Sequence, residues 1–159
     1  MKKMLSFTGS LNPKSDGFAI FVTEKYAYKD ENNVLSNKTI QKINSFLTVL
    51  KVKNKEEEIS FFDITDQQKC FIIKVKNKYE NYYPEEIGGM FFSQLKKLKI
   101  INTIDLYSDS LNQDKEKLAK FFSEFIFGFN LKSYTFNKYK TLNKEKINKR
   151  ISFKIITLY

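Results

Sequence analysis

The chain has 159 residues, of which 42% are hydrophobic, and a formal net charge of +10. This length suffices for one domain with a hydrophobic core, and 16 Phe with 9 Tyr are untypical of a disordered protein. The absence of histidine excludes His-based acid–base catalysis, nucleophiles paired with His, and His-ligated zinc. The single cysteine, Cys70, excludes an internal disulfide. We therefore expect a cytoplasmic protein without a membrane-spanning segment.

The basic charge has two explanations. Lysine supplies almost all of it, since Arg150 is the only arginine. Lys, Asn, Ile, Phe and Tyr are plentiful and have A/T-rich codons, so a biased genome would give this composition without selection for an acidic partner. Arginine is also the better residue for bidentate contacts to phosphates and bases. We favour codon bias, and selected nucleic-acid binding stays the alternative.

The apolar pattern predicts nine elements in the order β-β-α-β-β-α-β-α-β. Short apolar runs rich in β-branched and aromatic residues predict strands, and a period of three to four predicts helices. The predicted strands are 4–7, 18–22, 59–64, 71–75, 101–107 and 151–158, and the helices cover 40–50, 84–99 and 113–131. Helices that alternate with nearly continuous apolar strands are typical of an α/β domain with a mixed sheet.

The helix ends carry recognisable signals. Ser36 or Asn37 can cap the first helix, and Pro84 suits the first turn of the second. Ser110 with Gln113 predicts a capping box for the third.

Residues that could support catalysis are few. Cys70 lies in an apolar strand, which predicts a buried structural thiol. Asp63 with Asp66, and Asp105 with Asp109, lie at predicted strand ends, where α/β proteins place ligands. Without a second matching cluster we assign no catalytic, cofactor-binding or metal-binding residue to them. The pair at 88–89, Gly-Gly, lies inside a predicted helix and does not follow a strand as a phosphate loop requires. We expect it to permit close packing of that helix on the sheet.

The segment 132–154 contains eight basic residues and one acidic residue. Tyr134, Phe136 and Tyr139 lie between its lysines, as in surfaces that stack single-stranded bases. The same pattern suits a linker that packs its aromatic side chains and exposes its lysines. The nucleic-acid interpretation assigns contacts to four residues, Lys144, Lys146, Lys149 and Arg150.

The run FIFGFNLKSYTFNKYKT at 125–141 resembles the end of the N-terminal domain of the leucyl aminopeptidase (cytosol aminopeptidase) family. In that family a helix with a glycine precedes a Tyr, then an aromatic-Asp/Asn-Lys-Tyr-Lys run, a basic linker and a last strand. Here Gly128, Tyr134 and 136–141 match, with Asn137 where Asp is common. CFIIKVKNKYENYYPEEIGGMFFSQLKKL at 70–98 is similar to the family's strand, loop and glycine-containing helix. The resemblance covers residues 15–159.

This resemblance implies a mixed β-sheet sandwiched between helices, similar to a macro domain. It implies that residues 1–159 form one non-catalytic N-terminal domain, with the catalytic C-terminal domain and its signature Asn-Thr-Asp-Ala-Glu-Gly-Arg outside this chain. The parent would remove N-terminal residues from peptides with two zinc or manganese ions, as a hexamer. No cofactor is expected in this domain, and Tyr134, Phe136 and Tyr139 would contact the catalytic domain. Some family members bind DNA. Macro-like folds elsewhere bind ADP-ribose, but the glycine-rich loops for this are missing here.

Overall fold

The computed structural model describes residues 5–30, 33–53, 56–99, 103–111, 113–138 and 152–156. Its elements follow the predicted order, with one short 3-10 turn added before the last helix. They are β1 (Leu5–Thr8), β2 (Gly17–Thr23), α1 (Asn37–Lys53), β3 (Ile59–Thr65), β4 (Gln68–Val75), α2 (Tyr83–Leu98), β5 (Thr103–Tyr107), the 3-10 turn Ser108–Ser110, α3 (Lys115–Lys138) and β6 (Ser152–Ile156).

The strands form one six-stranded sheet in the order β1-β6-β5-β2-β4-β3. The first five strands in this spatial order, β1-β6-β5-β2-β4, pair in parallel, and the last strand, β3, pairs antiparallel with β4. The tight turn between β3 and β4 permits the antiparallel pair, whereas the parallel pairs need long crossovers through helices. The predicted mixed α/β sheet is therefore confirmed.

The chain divides into two compact units. The first, which we call the sheet unit, contains the six strands, α1 and the 3-10 turn. Its hydrophobic core between sheet and α1 is built from alternate residues of the central strands and the apolar stripe of α1. These residues include Phe18, Ile20, Val22, Ile43, Leu47, Leu50, Cys70, Ile72 and Tyr107. The period-two and period-3.6 patterns that predicted these elements thus meet in one core.

The second unit, the helical unit, pairs α2 with α3 through glycines. A Cβ on Gly88 would overlap the carbonyl oxygen of Phe125, and a Cβ on Gly128 would overlap that of Glu85. Only glycine allows two helix backbones to approach so closely. The prediction that Gly88 permits helix–sheet packing is therefore wrong, because its α-carbon faces the α3 backbone.

The helix ends confirm two of the predicted signals and correct a third. The Thr39 amide donates to Ser36 Oγ (3.2 Å) at the start of α1, and Pro84 lies in the first turn of α2. The predicted capping box of Ser110 is wrong. Asp114 caps α3 instead, because its Oδ1 accepts from the Lys117 amide at 3.0 Å.

Helix α3 also continues to Lys138, beyond the predicted end at 131. No helix in the described residues combines the length and the apolar character needed to cross a membrane.

Candidate functional site

The sheet has one topological switch point, between β2 and β5. After β2 the chain builds β3 and β4 on one side, and after β4 it crosses to β5 on the other side of β2. In open α/β sheets, ligands bind outside the carboxyl ends of the strands at such a point. The candidate site is therefore the crevice formed by the end of β5, the 3-10 turn, and the connection between β2 and α1. We call it the carboxyl-end crevice.

A serine from the 3-10 turn closes the sheet side of this crevice. Pairing between β2 and β5 ends at Ile20 and Tyr107, so the next amide of β2, that of Phe21, has no partner strand on this side. Ser110 Oγ accepts a hydrogen bond from this amide at 2.8 Å and donates to the Tyr107 carbonyl at 2.7 Å. One hydroxyl thus satisfies a donor and an acceptor that the end of the ladder would leave to a ligand or to water.

An aspartate holds the other side of the crevice. Tyr107 is 1% exposed, and its hydroxyl donates to Asp30 Oδ1 at 2.8 Å. The same carboxylate accepts from the Val34 amide (3.2 Å) and from the Leu35 amide (2.8 Å). Three donors on one carboxylate fix the loop ahead of α1 onto the end of β5, since hydrogen bonds to an ionised acceptor are the stronger ones.

Tyr28 lies beside this network with an unsatisfied hydroxyl. Its ring contacts the Tyr107 ring edge-on, with centroids 6.4 Å apart and an interplanar angle of 71°. The hydroxyl oxygen is buried and has no hydrogen-bond partner among the described residues. Burial is the main cause that raises the Tyr28 pKa well above its ordinary value, and the nearby Asp30, Tyr107 and Cys70 raise it further. The group therefore keeps its proton and is a buried donor without an acceptor among the residues that the structure describes.

Cys70 is fully buried in the core of the sheet unit, and its thiol is unreactive. Its thiol is 0% exposed, and burial raises its pKa well above the ordinary value. The thiolate is the nucleophilic form, so a thiol held protonated in the core is a poor nucleophile. The structure places Cys70 in the core as the sequence predicted.

The loop between β2 and α1 carries two residues in the left-handed backbone region. Tyr26 has φ 50° and Asn33 has φ 52°. Neither is glycine, and a bulky aromatic in this region is uncommon. Lys74 Nζ lies 5.5 Å from the centre of the Tyr26 ring, within range of a cation–π contact. The loop is thus held by its side chains in a conformation that its backbone disfavours.

The predicted carboxylates do not assemble into a site. Asp63 is exposed and pairs with Lys69. Asp105 lies inside β5 and not at its end, is 1% exposed, and accepts the Asn12 amide at 2.7 Å. The described residues contain no group of three or more Cys, Asp and Glu arranged to hold a metal ion. Asp105 is therefore a structural partner of the chain that leads into β2.

The remaining candidate residues fall mainly outside the described part. Tyr134 is 68% exposed and lies on α3, together with the backbone of Phe136. These two residues therefore continue the helix and do not belong to a linker after it. Tyr139 and the four basic residues Lys144, Lys146, Lys149 and Arg150 lie outside the described residues.

Sequence reasoning missed the residues that close the crevice. The sequence predicts a capping box for Ser110 and no role for Asp30. The bond from Tyr107 to Asp30 joins residues 77 positions apart, and that from Phe21 to Ser110 joins residues 89 apart. No local pattern encodes such pairs. The one local signal is the sequence YAYKD at 26–30, in which two tyrosines precede an aspartate in a loop otherwise rich in polar residues.

Comparison with known proteins adds the fold. No protein-family model and no curated protein sequence matches the chain. Among solved structures, the macrodomain of Thermus aquaticus DarG aligns with a TM-score of 0.64 at 9% identity, over 99% of this chain and 100% of that one. The macrodomain of Mycobacterium tuberculosis DarG aligns with a TM-score of 0.66 at 7% identity, over 97% of each chain.

A mutant of tomato leucine aminopeptidase is also similar. It aligns with a TM-score of 0.68 at 15% identity over 99% of this chain. The chain spans only 33% of the length of that aminopeptidase. At these identities the likeness shows the fold alone, and it confirms the predicted macro-domain-like architecture. The chain has a macro-like α/β fold, and its described residues form a mixed sheet and three α-helices.

Proposed function

We propose that this chain is a non-catalytic accessory domain of a leucyl aminopeptidase. The observation that carries the proposal is the closed carboxyl-end crevice. Ser110 occupies the free amide of Phe21, and Asp30 takes three donors from its own loop and from Tyr107. Groups that a ligand-binding α/β protein presents to its ligand are here bonded within the chain. The tomato aminopeptidase supports the proposal, because one third of its length aligns with nearly all of this chain.

In this proposal the chemistry belongs to a second domain. Two zinc or manganese ions in that domain would activate the water that attacks the peptide bond. This chain would contribute packing and assembly, with its own catalytic domain as partner and a hexamer as the working form. Tyr134, 68% exposed on α3, is the described residue that we assign to the contact with that domain.

The reading frame beyond codon 159 tests this proposal. A continuing frame that encodes Asn-Thr-Asp-Ala-Glu-Gly-Arg with lysine and carboxylate ligands would support it. A stop codon at that point would refute it. A second test uses purified 1–159 with a chromogenic leucine substrate, with and without manganese. Metal-dependent turnover by this chain alone would also contradict a non-catalytic role.

A second candidate function is binding of a small nucleotide-type ligand such as ADP-ribose. Two macrodomains align over almost their full length, and within the described part of the chain the buried Tyr28 hydroxyl beside the crevice has no acceptor. A ligand oxygen could accept from this hydroxyl if the loop between β2 and α1 opened. The absence of glycine-rich phosphate loops in the sequence argues against this function.

Calorimetry with ADP-ribose distinguishes the two candidates. If the ligand binds here, Tyr28→Phe should weaken binding by about tenfold, which corresponds to the loss of one hydrogen bond. Tyr79→Phe is the matched control, because Tyr79 lies in the helical unit and is 41% exposed. The accessory-domain proposal predicts no heat of binding from either protein.

A further inference from the structure

Strand β3 lies at one end of the sheet. Among the described residues it pairs on one side only, with β4. Its seven residues, Ile59–Thr65, are ISFFDIT, which is rich in β-branched and aromatic side chains. An edge strand with such a sequence is a template for a further strand unless the protein protects it.

The ladder to β4 fixes which backbone groups of β3 point outward. The Lys74 amide donates to the Glu58 carbonyl at 2.8 Å, and residues 58 and 74 lie opposite each other in the register that continues through β3. In an antiparallel pair, hydrogen-bonded and non-hydrogen-bonded positions alternate. Residues 60 and 62 therefore bond to β4. The amide and carbonyl groups of Ile59, Phe61 and Asp63 point away from the sheet.

Aromatic side chains reach this edge on both faces. Phe61 packs against Phe71 with ring centroids 5.7 Å apart, and Phe62 packs against Phe46 of α1 with centroids 4.5 Å apart. Phe61 and Phe62 are both only half-buried. A strand added beside β3 would bury the remaining exposed area of these rings, which favours its binding.

The protective features of this edge are concentrated at its carboxyl end. Asp63 carries a charge, the register is irregular between Asp63 and Thr65, and Lys42 Nζ donates to the Ile64 carbonyl. Charges, bulges and covering side chains are the devices that keep edge strands from pairing. The first half of the strand, from Ile59 to Phe61, has no charged residue and no register irregularity; Lys69 Nζ lies 5.6 Å from the centre of the Phe61 ring, on one face of the sheet.

The charge around β3 indicates the partner. Five of the chain's 18 acidic residues lie between positions 56 and 66, where the sequence has no basic residue, although the net charge is +10. Asp63 pairs with Lys69 and Glu58 pairs with Lys76, so five acids less these two leave three outside those ion pairs. These acids flank the apolar centre of β3 on both sides. A second copy of the chain, paired antiparallel about Phe61, would set residues 56–58 opposite residues 64–66 and so bring acid near acid. Like charges across a strand pair are unfavourable.

We propose that the outward edge of β3 binds an extended segment of a partner protein by strand addition. The segment has an apolar, β-branched centre and lysine or arginine residues at both ends. Main-chain hydrogen bonds to Ile59 and Phe61 hold it, the aromatic rings contact its centre, and the flanking acids select its basic ends. This surface does not depend on the aminopeptidase assignment, since it rests on the sheet edge alone.

The test uses a synthetic peptide and the full chain. The probe is acetyl-Lys-Lys-Val-Thr-Val-Thr-Val-Lys-Lys-amide with a fluorophore, and its matched control replaces the four lysines by glutamates. We expect the lysine peptide to bind at least about tenfold more tightly than the glutamate peptide. Added salt should reduce this difference, because the flanking charges are exposed. Equal affinities for the two peptides would overturn the proposal.

A second comparison isolates the backbone contacts. Methylation of alternate peptide nitrogens removes main-chain donors and should weaken binding by about tenfold or more without any change in the protein. Phe61→Pro removes an outward amide and the ring that packs on Phe71, and Phe61→Ala, which removes only the ring, is its control. Both variants should lower the unfolding midpoint, but only Phe61→Pro should abolish binding, because Phe61→Ala keeps the outward amide. Retained affinity in the methylated peptide contradicts strand addition. If the chain self-associates and Phe61→Pro abolishes this self-association, a second copy of the chain occupies the edge. This outcome also refutes the proposal.

Discussion

Substitution of the glycines between α2 and α3 tests how close the two helices lie. A Cβ at Gly88 would lie 2.9 Å from the Phe125 carbonyl carbon and 3.0 Å from the Phe129 nitrogen, besides its overlap with the Phe125 oxygen. A Cβ at Gly128 would lie 2.6 Å from both the carbonyl carbon and Cα of Glu85. Carbon atoms in good contact are about 3.5–4.0 Å apart, so alanine at either position requires the backbones to separate by roughly 1 Å.

The magnitude follows from two opposing effects. Alanine in a helix interior is favoured over glycine by about 1 kcal/mol. Overpacking that shifts backbone costs about 1–3 kcal/mol, and occasionally more, and a gap of about 1 Å forfeits up to half of each dispersion contact along the interface. The contacts at risk include the ring pairs of Phe91 with Phe129, 6.2 Å apart, and of Phe92 with Phe129, 5.2 Å apart. We expect Gly88→Ala and Gly128→Ala to lower the free energy of unfolding by about 2 kcal/mol net.

Gly89→Ala is the matched control. A Cβ at Gly89 would lie 3.7 Å from both the Gly128 oxygen and the Lys132 Cβ, which is ordinary contact. This variant should therefore gain about 0.5–1 kcal/mol from helix propensity. Urea denaturation followed by far-UV circular dichroism measures all three variants, and equal slopes confirm that the same surface unfolds. If Gly88→Ala were more stable than the original chain, or if all three alanine variants changed stability equally, the close approach of the α2 and α3 backbones would be refuted.

Three further predictions concern the crevice and the basic segment. Tyr28→Phe should raise the free energy of unfolding by about 1 kcal/mol, because it removes a buried hydroxyl without a hydrogen-bond partner among the described residues. Tyr107→Phe should lower it by about 1–3 kcal/mol, because the hydrogen bond to Asp30 is lost. Urea denaturation measures both variants, and a destabilised Tyr28→Phe variant would mean that the hydroxyl has a partner. Burial raises the pKa of Cys70 above its ordinary 9.0, so the folded state keeps a proton that the unfolded state releases. The free energy of unfolding should therefore fall as pH rises above about 9, by up to about 1.4 kcal/mol per pH unit, and less steeply in Cys70→Ala; identical slopes in both proteins would contradict this. If the basic segment binds DNA, affinity should fall with salt at a log–log slope of about −0.9 per phosphate neutralised. Replacing its four assigned residues with glutamine should flatten that slope, and unchanged binding would reject the sites Lys144, Lys146, Lys149 and Arg150.

The order of the elements could be predicted because each element carries its own pattern. The run FAIFV at 18–22 became the central part of β2, which is buried almost throughout, and the stripe of Ile43, Leu47 and Leu50 became the core face of α1. Side-chain periodicity and burial are local consequences of helix and strand geometry. Ser36 and Pro84 were predictable for the same reason, since a helix end needs its cap within a few residues.

The errors lie where a residue's role depends on a distant partner. The sequence around Ser110 predicts a helix cap, but its hydroxyl accepts a hydrogen bond from the Phe21 amide. This amide is available because β2 continues past the end of its pairing with β5. The sequence around Gly88 predicts close packing of its helix on the sheet, but the backbone that Gly88 contacts is that of α3. In both cases the local chemistry was correctly identified, and the partner came from the tertiary fold.

The closure of the crevice also bears on where this domain can interact. A macro-like sheet offers two kinds of unsatisfied backbone, at the carboxyl ends of its strands and along its edges. In this chain Ser110 satisfies two groups of the first kind, the Phe21 amide and the Tyr107 carbonyl. Among the described residues, the first half of β3 pairs on one side only and leaves the second kind without a partner strand, with aromatic rings on both faces and acids at its ends. Buried polar groups that are already paired gain little from a ligand, whereas an exposed edge gains hydrogen bonds and buried apolar area together. Among the described residues, the proposed strand addition at β3 therefore gains more new hydrogen bonds than a ligand in the crevice would.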